Sequence, residues 1–381
     1  MSTAAAGRIV VVGNGIAGLT AADTLREAGF DGDLTIVGDE PHPAYSRPAL
    51  SKALLRDRNA GTAHELPPAG HGATELLGVR ATRLDLDRRL VALDDGTDLP
   101  YDRLVLATGS RARRLSGLPG EATLRGLDDA VALRDRLASA PTVVVIGGGP
   151  LGMEIASACV GSGCRTTLVS QGTPLTHQLG PHLAGVFVSA ALASGLTLVR
   201  TGTAARIDGT TDAGRVVLDS GEAVEAELIV SAVGDIPNTE WLADTGLTAN
   251  GAVPVDVRGL ARPDVAAVGD LAAFPTPHGV RRVPLWSSAI EQARTAARAL
   301  LHGDQAPPLR FQPYFWTEQF GLSLKAAGRL PTAGEPAYLE GEPGGGPALM
   351  RWSHADGSAT AAALGLRVPV PRLRRMTEPT T

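Results

Sequence analysis

Two glycine-centred stretches constrain this chain more than anything else in it. The first is RIVVVGNGIAGLTAADTLREAGFDGDLTIVGDE, residues 8–40. The apolar run Ile9–Val12 reads as a buried strand. It breaks at Gly13-Asn14-Gly15-Ile16-Ala17-Gly18 into a helical pattern, with Ala17, Ala21, Leu25 and Ala28 on one face. A second apolar run, Leu34–Val37, then ends at Asp39 and Glu40. Strand, G-x-G-x-x-G, helix, strand and a terminal acid together form a dinucleotide-binding fingerprint, and the full context makes it far more specific than a lone glycine motif. Gly13 permits the tight turn, Gly15 lets the backbone approach a pyrophosphate, and Gly18 lets helix and strand pack closely. The pyrophosphate would lie on free N–H groups at the helix start, where the macrodipole favours anions. An acid at the end of the second strand would accept hydrogen bonds from a ribose.

The pattern returns at Thr142. TVVVIGGGPLGMEIASACVGSGCRTTLVS is again strand, G-x-G-x-x-G (Gly147, Gly149, Gly152), helix and strand. The first glycines of the two motifs lie 134 residues apart, room for one domain. Two units imply two dinucleotides, or one dinucleotide and an evolutionary relic.

Composition narrows the class. At 381 residues the chain should form two or three domains. Its 35 basic and 40 acidic residues nearly balance, which gives no electrostatic case for nucleic acid or an anionic membrane. The apolar runs are strand-length, far short of a membrane span. The opening residues lack a signal-peptide pattern, and two cysteines do not suggest a disulfide scaffold. A soluble cytoplasmic protein is expected.

Between the glycine units, Pro41, Pro43 and Pro48 forbid a long regular element. PHPAYSRPALSKALL therefore reads as an ordered loop entering a short helix near 50–55, with Arg47 and Lys52 in it. Residues 57–72 look like a surface excursion, and 74–110 like a strand meander turning at Asp95-Gly96 and closing on Leu104–Ala107. Strands follow the second unit at 196–200, 215–218 and 227–232. A second meander ends in Gly269-Asp270, and 284–301 reads as a helix. The whole chain has 14 aromatic residues, and five fall within FQPYFWTEQF: Phe311, Tyr314, Phe315, Trp316 and Phe320. Such a cluster packs a core or forms a wall beside a planar ring system. The last thirty residues suggest further strands, a hairpin at Asp356-Gly357 and an Arg-rich end.

Taken together, VVVGNGIAGL, PAYSRPALSK, LVLATGSRARRL, VVVIGGGPLGMEIA, AVGDIPNTEWL, VAAVGDLA and PYFWTEQF resemble the ferredoxin-reductase-like flavoproteins, in order and over nearly the whole chain. That group includes the putidaredoxin, rubredoxin and biphenyl-dioxygenase ferredoxin reductases and apoptosis-inducing factor. The resemblance implies an α/β chain of the glutathione-reductase type, with two Rossmann-like dinucleotide-binding domains plus a small C-terminal α+β domain. An FAD domain would comprise 1–112 and 238–309, a nicotinamide domain 113–237, and the C-terminal domain 310–381.

Site residues follow motif by motif. Gly13, Gly15, Ile16, Ala17 and Gly18 would hold the FAD pyrophosphate, and Asp39 with Glu40 the adenosine ribose. Arg47 and Lys52 would contact FAD, the backbone at Ala81 and Thr82 its adenine, and Ala107, Thr108, Gly109 and Arg113 would line it. Asp270 would bind the ribityl chain, Leu285 and Trp286 would reach the pyrimidine end of the ring, and Trp316 would lie beside the flavin. In the second unit Gly147, Gly148, Gly149, Pro150, Leu151 and Gly152, with Gly234, would cradle NAD(P)H. Glu154 would pair with Lys52, a lysine that stabilises negative charge on the reduced ring. The bland alternative for that pair is a solvated helix face. The implied chemistry is hydride transfer from nicotinamide to FAD, then single-electron delivery to a two-iron two-sulfur ferredoxin, by a monomer or homodimer. No metal site, nucleic-acid partner or membrane partner is implied.

Three departures qualify the resemblance. Cys159 and Cys164 have the C-x-x-x-x-C spacing of related disulfide reductases, but follow the second glycine motif and not the first; buried small residues at a helix end are expected. The second unit's strand ends in Ser170 and Gln171 where NAD-specific relatives carry an acid, with only Arg165 and His177 nearby in sequence. Pro284 replaces an acidic residue common in relatives. These last two changes keep open a biosynthetic flavoenzyme or an NAD(P)H oxidase acting on a small molecule or oxygen; the resemblance to apoptosis-inducing factor keeps open a redox-sensing interaction protein. Arg111, Arg113, Arg114, Arg367, Arg372, Arg374 and Arg375 could face an acidic ferredoxin, or simply be solvated surface.

Overall fold

The computed structural model describes residues 7–56, 61–139, 142–203, 205–209, 214–276, 279–310, 312–344 and 346–378. Phe311 and residues 57–60, for which expectations are given above, lie outside them. The chain divides into two compact units. One is drawn from Met1–Ser46, Glu65–Arg111 and Ile236–Phe311, the other from Arg47–His64, Ala112–Asp235 and Gln312–Thr381.

The first unit is built on a six-stranded sheet. Its order is Leu260–Arg262, Val265–Ala267, Arg103–Leu106, Arg8–Val12, Asp33–Gly38 and Thr74–Leu77, all parallel except the first pair. Arg8–Val12 is a central strand; beyond the exposed Arg8 it is buried on both faces, and Ile9–Val12 is uniformly apolar. The strand period of two divides it: Ile9 and Val11 pack with Ala21, Leu25, Ala293 and Ala297 of the helices Ile16–Glu27 and Trp286–His302, while Val10 and Val12 join Val91, Leu93, Tyr101 and Phe274. Each fully buried aliphatic side chain contributes about 1.5–3 kcal/mol to holding this arrangement. The helix expected at 284–301 is present as Trp286–His302.

The second unit repeats the scheme with five parallel strands ordered Thr197–Thr201, Arg165–Gln171, Thr142–Ile146, Leu228–Ser231 and Glu121–Ala122. One face carries the apolar side of an antiparallel trio, Arg206–Gly209, Gly214–Val217 and Ala223–Ala226, through Val144, Ile146, Val169, Ile207 and Val216. The helix Pro181–Ala193 was not read from the sequence, because its apolar residues run around it with little stripe.

The same unit holds a five-stranded antiparallel sheet ordered Tyr314–Gln319, Leu322–Ala327, Ala359–Leu364, Ala348–Ser353 and Ala337–Glu340. The expected hairpin turns at Asp356-Gly357, and the Arg-rich end proves to be a short helix, Val370–Arg375, seated through Leu373. The short helix expected near 50–55 is a π-helical turn, Leu50–Leu54. Such turns are rare and tend to occur at functional sites.

Candidate functional site

Each glycine motif is built by contacts that exclude a side chain. In the first unit Gly13 has φ +120°, and a Cβ there would stand 2.1 Å from the Ala107 carbonyl oxygen. A Cβ on Gly18 would stand 1.8 Å from the Gly13 oxygen, which is the close helix–strand approach expected of it. Gly15, by contrast, faces open space and sits in extended conformation at the N-cap of the Ile16–Glu27 helix, with no side chain capping the first N–H groups. Beside it the Asn14 amide is buried, and neither its nitrogen nor its oxygen has a hydrogen-bond partner among the described residues. Open space, uncapped N–H groups and an orphaned amide fit a bound pyrophosphate.

The flanking residues are set for the same ligand. At the end of Asp33–Gly38, Asp39 is exposed and Glu40 accepts a 2.5 Å hydrogen bond from the Tyr45 hydroxyl. Thr82 falls where the register slips between Ala81 and Arg83, so its backbone is outside the regular ladder. Thr108 and Asn238 exchange two hydrogen bonds at 2.7 and 2.9 Å, which fixes the turn Ala107-Thr108-Gly109. Asp270 lies in a single 3-10 turn, accepts from Ser110 at 3.2 Å, and its carbonyl accepts from Arg282. Leu285 is the N-cap and Trp286 the first residue of the long helix, again without a side-chain cap.

The second unit reproduces the cradle. A Cβ on Gly147 would meet the Ala232 oxygen at 2.2 Å, and one on Gly152 the Gly147 oxygen at 1.9 Å. Pro150 opens the helix Pro150–Gly161 at its first position, where a missing N–H costs nothing. Leu151 is exposed there, and the Gly148 carbonyl accepts from the Leu175 amide at 2.8 Å. Ser170, at the strand end, is buried against Gly148, while Gln171 is exposed. Arg113 is exposed, and its N–H donates to the Gly234 carbonyl at 3.0 Å. Arg47 donates to the Arg125 carbonyl at 2.9 Å.

Lys52, Glu154 and Trp316 come together within this unit. The Lys52 ammonium is 2.9 Å from both carboxylate oxygens of Glu154 and 5.7 Å from the centre of the Trp316 ring. Trp316 stacks on Tyr314 at 5.8 Å and 19°. Glu154 is 4 % exposed, so the bland alternative of a solvated helix-face pair is not what the chain builds. Reading the sequence missed two further partners of this carboxylate: Ser51 donates to it at 2.5 Å and Thr317 at 2.6 Å. Ser51 adjoins the R-P-x-L-S-K lysine and Thr317 the tryptophan, yet nothing local announces that they meet Glu154.

Both cysteines are free and buried. Burial, with the neighbouring Cys164 charge second, pushes the Cys159 thiol up to about 12, and burial raises Cys164 as well. Neither is poised as a thiolate. Several of the arginines noted above are engaged: Arg111 with Asn238 and Glu240, Arg114 with the Glu121 carbonyl, Arg372 with Glu340. Among the described residues no cluster suited to a metal ion occurs, and no helix is long and apolar enough to cross a membrane.

Residues 7–296 match the family model described as pyridine nucleotide-disulphide oxidoreductase. The chain belongs to that family. It is 36 % identical over 346 residues to rhodocoxin reductase of Rhodococcus erythropolis, covering 87 % of this chain and 80 % of that one. It is 33 % identical over 364 residues to the ferredoxin–NAD(+) reductase component of the biphenyl dioxygenase system of Paraburkholderia xenovorans, covering 93 % and 88 %. Among solved structures, the covalent putidaredoxin reductase–putidaredoxin complex matches with a TM-score of 0.86 at 28 % identity, over 97 % of this chain and 93 % of that one. Family membership accounts for the doubled glycine cradle. The disulphide in the family's description has no counterpart in the placement of Cys159 and Cys164.

Proposed function

We propose that this pyridine nucleotide-disulphide oxidoreductase carries electrons from NAD(P)H through FAD to a small iron–sulfur protein, as the reductase component of an oxygenase system. The observation that carries the reading is the presence of two complete glycine cradles in one chain, one ending in Asp39-Glu40 and one backed by the Lys52–Glu154 pair. FAD supplies the conversion of a two-electron hydride into single electrons.

The chain's own residues bind, orient and tune. Gly13 and Gly18 shape the turn, Gly15 brings the N-terminus of the Ile16–Glu27 helix to where the FAD pyrophosphate would lie, and Asp39 would accept the adenosine ribose hydroxyls. Ala81 and Thr82 offer backbone groups to the adenine. Ala107–Gly109 would line the cofactor, Asp270 would take the ribityl chain, and Leu285 and Trp286 begin a helix whose N-terminal dipole would favour negative charge on the pyrimidine end. Gly148–Leu151 receive the nicotinamide dinucleotide. Lys52 supplies a fixed positive charge for the reduced state, Glu154 aims it, and Trp316 gives it an aromatic face. The hydride chemistry that bound FAD and nicotinamide would supply needs no proton-transfer residue from this chain. We assign 1–112 with 238–309 to the FAD domain, 113–237 to the nicotinamide domain and 310–381 to the C-terminal domain, in a cytoplasmic protein. The iron–sulfur acceptor is suggested by the relatives named above, one a ferredoxin reductase component and another seen bound to putidaredoxin.

Anaerobic mixing of the purified protein with NADH or NADPH tests this. The flavin absorbance should bleach, and a two-iron two-sulfur ferredoxin added next should be reduced. Failure to bleach with either nucleotide overturns the reading. Rapid turnover of oxygen with no reduction of any ferredoxin would favour the oxidase alternative that the neutral Ser170-Gln171 strand end keeps open.

A further inference from the structure

Every donor around Glu154 points at it. Oε2 accepts from Ser51 at 2.5 Å and Lys52 at 2.9 Å; Oε1 accepts from Thr317 at 2.6 Å and lies 2.9 Å from the same ammonium. Distances this short mark hydrogen bonds to an ionised acceptor. A carboxylate has no proton to give, so the Thr317 hydroxyl must spend its single proton on Oε1. The Thr317 oxygen is then left as an acceptor, and Gln319 fills it: its Nε2 donates at 2.9 Å. The amide orientation of Gln319 follows from this chemistry, because its oxygen turned inward would face a lone pair. Thr317 and Gln319 are 0 % exposed. They sit two apart on the strand Tyr314–Gln319 and therefore on one face.

Local geometry explains why Ser51 and Lys52 can act together. Consecutive residues of an α-helix diverge by about 100°. The π-helical turn Leu50–Leu54 is wider and rotates less per residue, so these two neighbours reach one carboxylate. The choice of lysine is also informative. Of the 35 basic residues only Lys52 and Lys325 are lysines. A chain that otherwise takes its positive charge from arginine places an amine here, a compact point charge with three donors, where a flat guanidinium would not fit the same role.

We propose that Ser51, Thr317 and Gln319 are positioning residues, which saturate Glu154 with directed donors so that it holds the Lys52 ammonium fixed beneath Trp316. This rests on the electron-transfer reading above for its purpose, but not for its test. Removing one hydroxyl leaves a buried carboxylate oxygen short of a donor, and the carboxylate relieves that by turning toward another partner or toward water. Lys52 then loses its fixed counter-charge, and its side chain moves more freely and meets reagent in solvent more often.

The near absence of lysine makes this measurable. Brief acylation of the purified holoprotein with an amine-selective reagent, read by peptide mass spectrometry, gives the Lys52 to Lys325 labelling ratio in one sample. In Thr317→Val that ratio should rise several-fold. The nucleotide-driven bleaching rate should fall about tenfold, with half-saturating nucleotide unchanged. Thr317→Ser keeps the hydroxyl and should restore both readouts; Ser51→Ala should move both in the same direction as Thr317→Val. A wild-type ratio in Thr317→Val and Ser51→Ala overturns the proposal, as does Thr317→Ser behaving like Thr317→Val, which would make the effect one of packing. Should Thr317→Val fail to fold, Ser51→Ala and Thr317→Ser decide it alone. A wild-type protein that no nucleotide bleaches sinks the electron-transfer reading, while the labelling ratios still report on the network.

Discussion

Set side by side by strand register, the two glycine units of this chain run at a constant offset of 134 residues from Arg8/Thr142 through the helix, and at 132 from Asp33/Arg165 onward. Val37 thus corresponds to Val169, Gly38 to Ser170, Asp39 to Gln171 and Glu40 to Gly172. The backbone is shared closely: Gly13 and Gly147 have φ +120° and +116°, and a Cβ at either would strike a carbonyl at 2.1–2.2 Å. What differs is complementary. In the first unit Asn14 packs against Gly38, its Cβ 2.8 Å from where a Gly38 Cβ would lie; in the second the bulk has changed sides, with Ser170 against Gly148. The space between glycine loop and strand end is conserved while its chemistry is not, since a buried amide and two terminal acids give way to a hydroxyl and a neutral amide. Helix position Thr20 becomes Glu154, and with it the second unit acquires the carboxylate that holds Lys52. The pair teaches that the cradle is a matter of backbone approach, whereas what the cradle prefers is written at the strand end and on the helix.

The largest effect should come from filling either close approach. Gly18→Ala and Gly152→Ala place a methyl 1.8–1.9 Å from a backbone oxygen that belongs to the turn itself. No side-chain rotation relieves such a clash. Gly18→Ala should purify without flavin. Gly152→Ala should retain flavin yet fail to bleach with nucleotide, because its fault lies in the second cradle. Flavin content by absorbance and anaerobic reduction separate the two. If both variants lost flavin equally, the division of labour between the cradles would be broken.

A middle-sized effect belongs to the strand ends. Gln171 is exposed where the first unit has the exposed Asp39. A carboxylate there accepts from a ribose 2′-hydroxyl and repels a 2′-phosphate. Gln171→Glu should therefore shift the ratio of kcat/KM for NADH over NADPH toward NADH by about tenfold, the worth of one charge-assisted hydrogen bond. The change should come from KM far more than from kcat. An unchanged ratio would mean that Gln171 is not the counterpart of Asp39 and that the register comparison fails at its most functional point.

Much of this was legible in the residues alone. Both glycine motifs, their flanking strands and the helix at Trp286–His302 announce themselves locally, through periodicity and through glycines that no other residue replaces. The architecture and the pairing of Lys52 with Glu154 came from resemblance of ordered motifs, not from periodicity. What escaped was non-local. Ser51 and Thr317 lie 103 and 163 residues from Glu154, and no spacing rule connects them. The π-helical turn at Leu50–Leu54 is invisible because its residues suit an ordinary helix equally well. The cysteines had a visible cause that only the internal comparison brings out.

That cause supplies the smallest prediction. Leu25 and Phe30 in the first unit correspond to Cys159 and Cys164 in the second. Both helices end in the same cap: Gly29 and Gly163 adopt φ +94° and +83°, and the amides of Phe30 and Cys164 donate to the carbonyls of Leu25 and Cys159 at 3.0 and 3.1 Å. This is the Schellman arrangement, which favours an apolar contact between those two side chains. Cys159 and Cys164 are the second cap's apolar pair, which explains their spacing without redox chemistry. The folded chain holds the Cys159 proton to about 12, chiefly through burial, against an ordinary value of 9.0. Between those values the unfolded chain has released a proton that the folded chain keeps. Unfolding is therefore favoured as pH rises, and stability present below 9.0 is progressively lost through that window. Urea midpoints at neutral pH and within the window should fall further apart for the wild type than for Cys159→Val, which has no proton to lose. A thiol reagent that modified both cysteines in the folded protein at neutral pH would contradict the cap assignment and reopen a redox role for the pair.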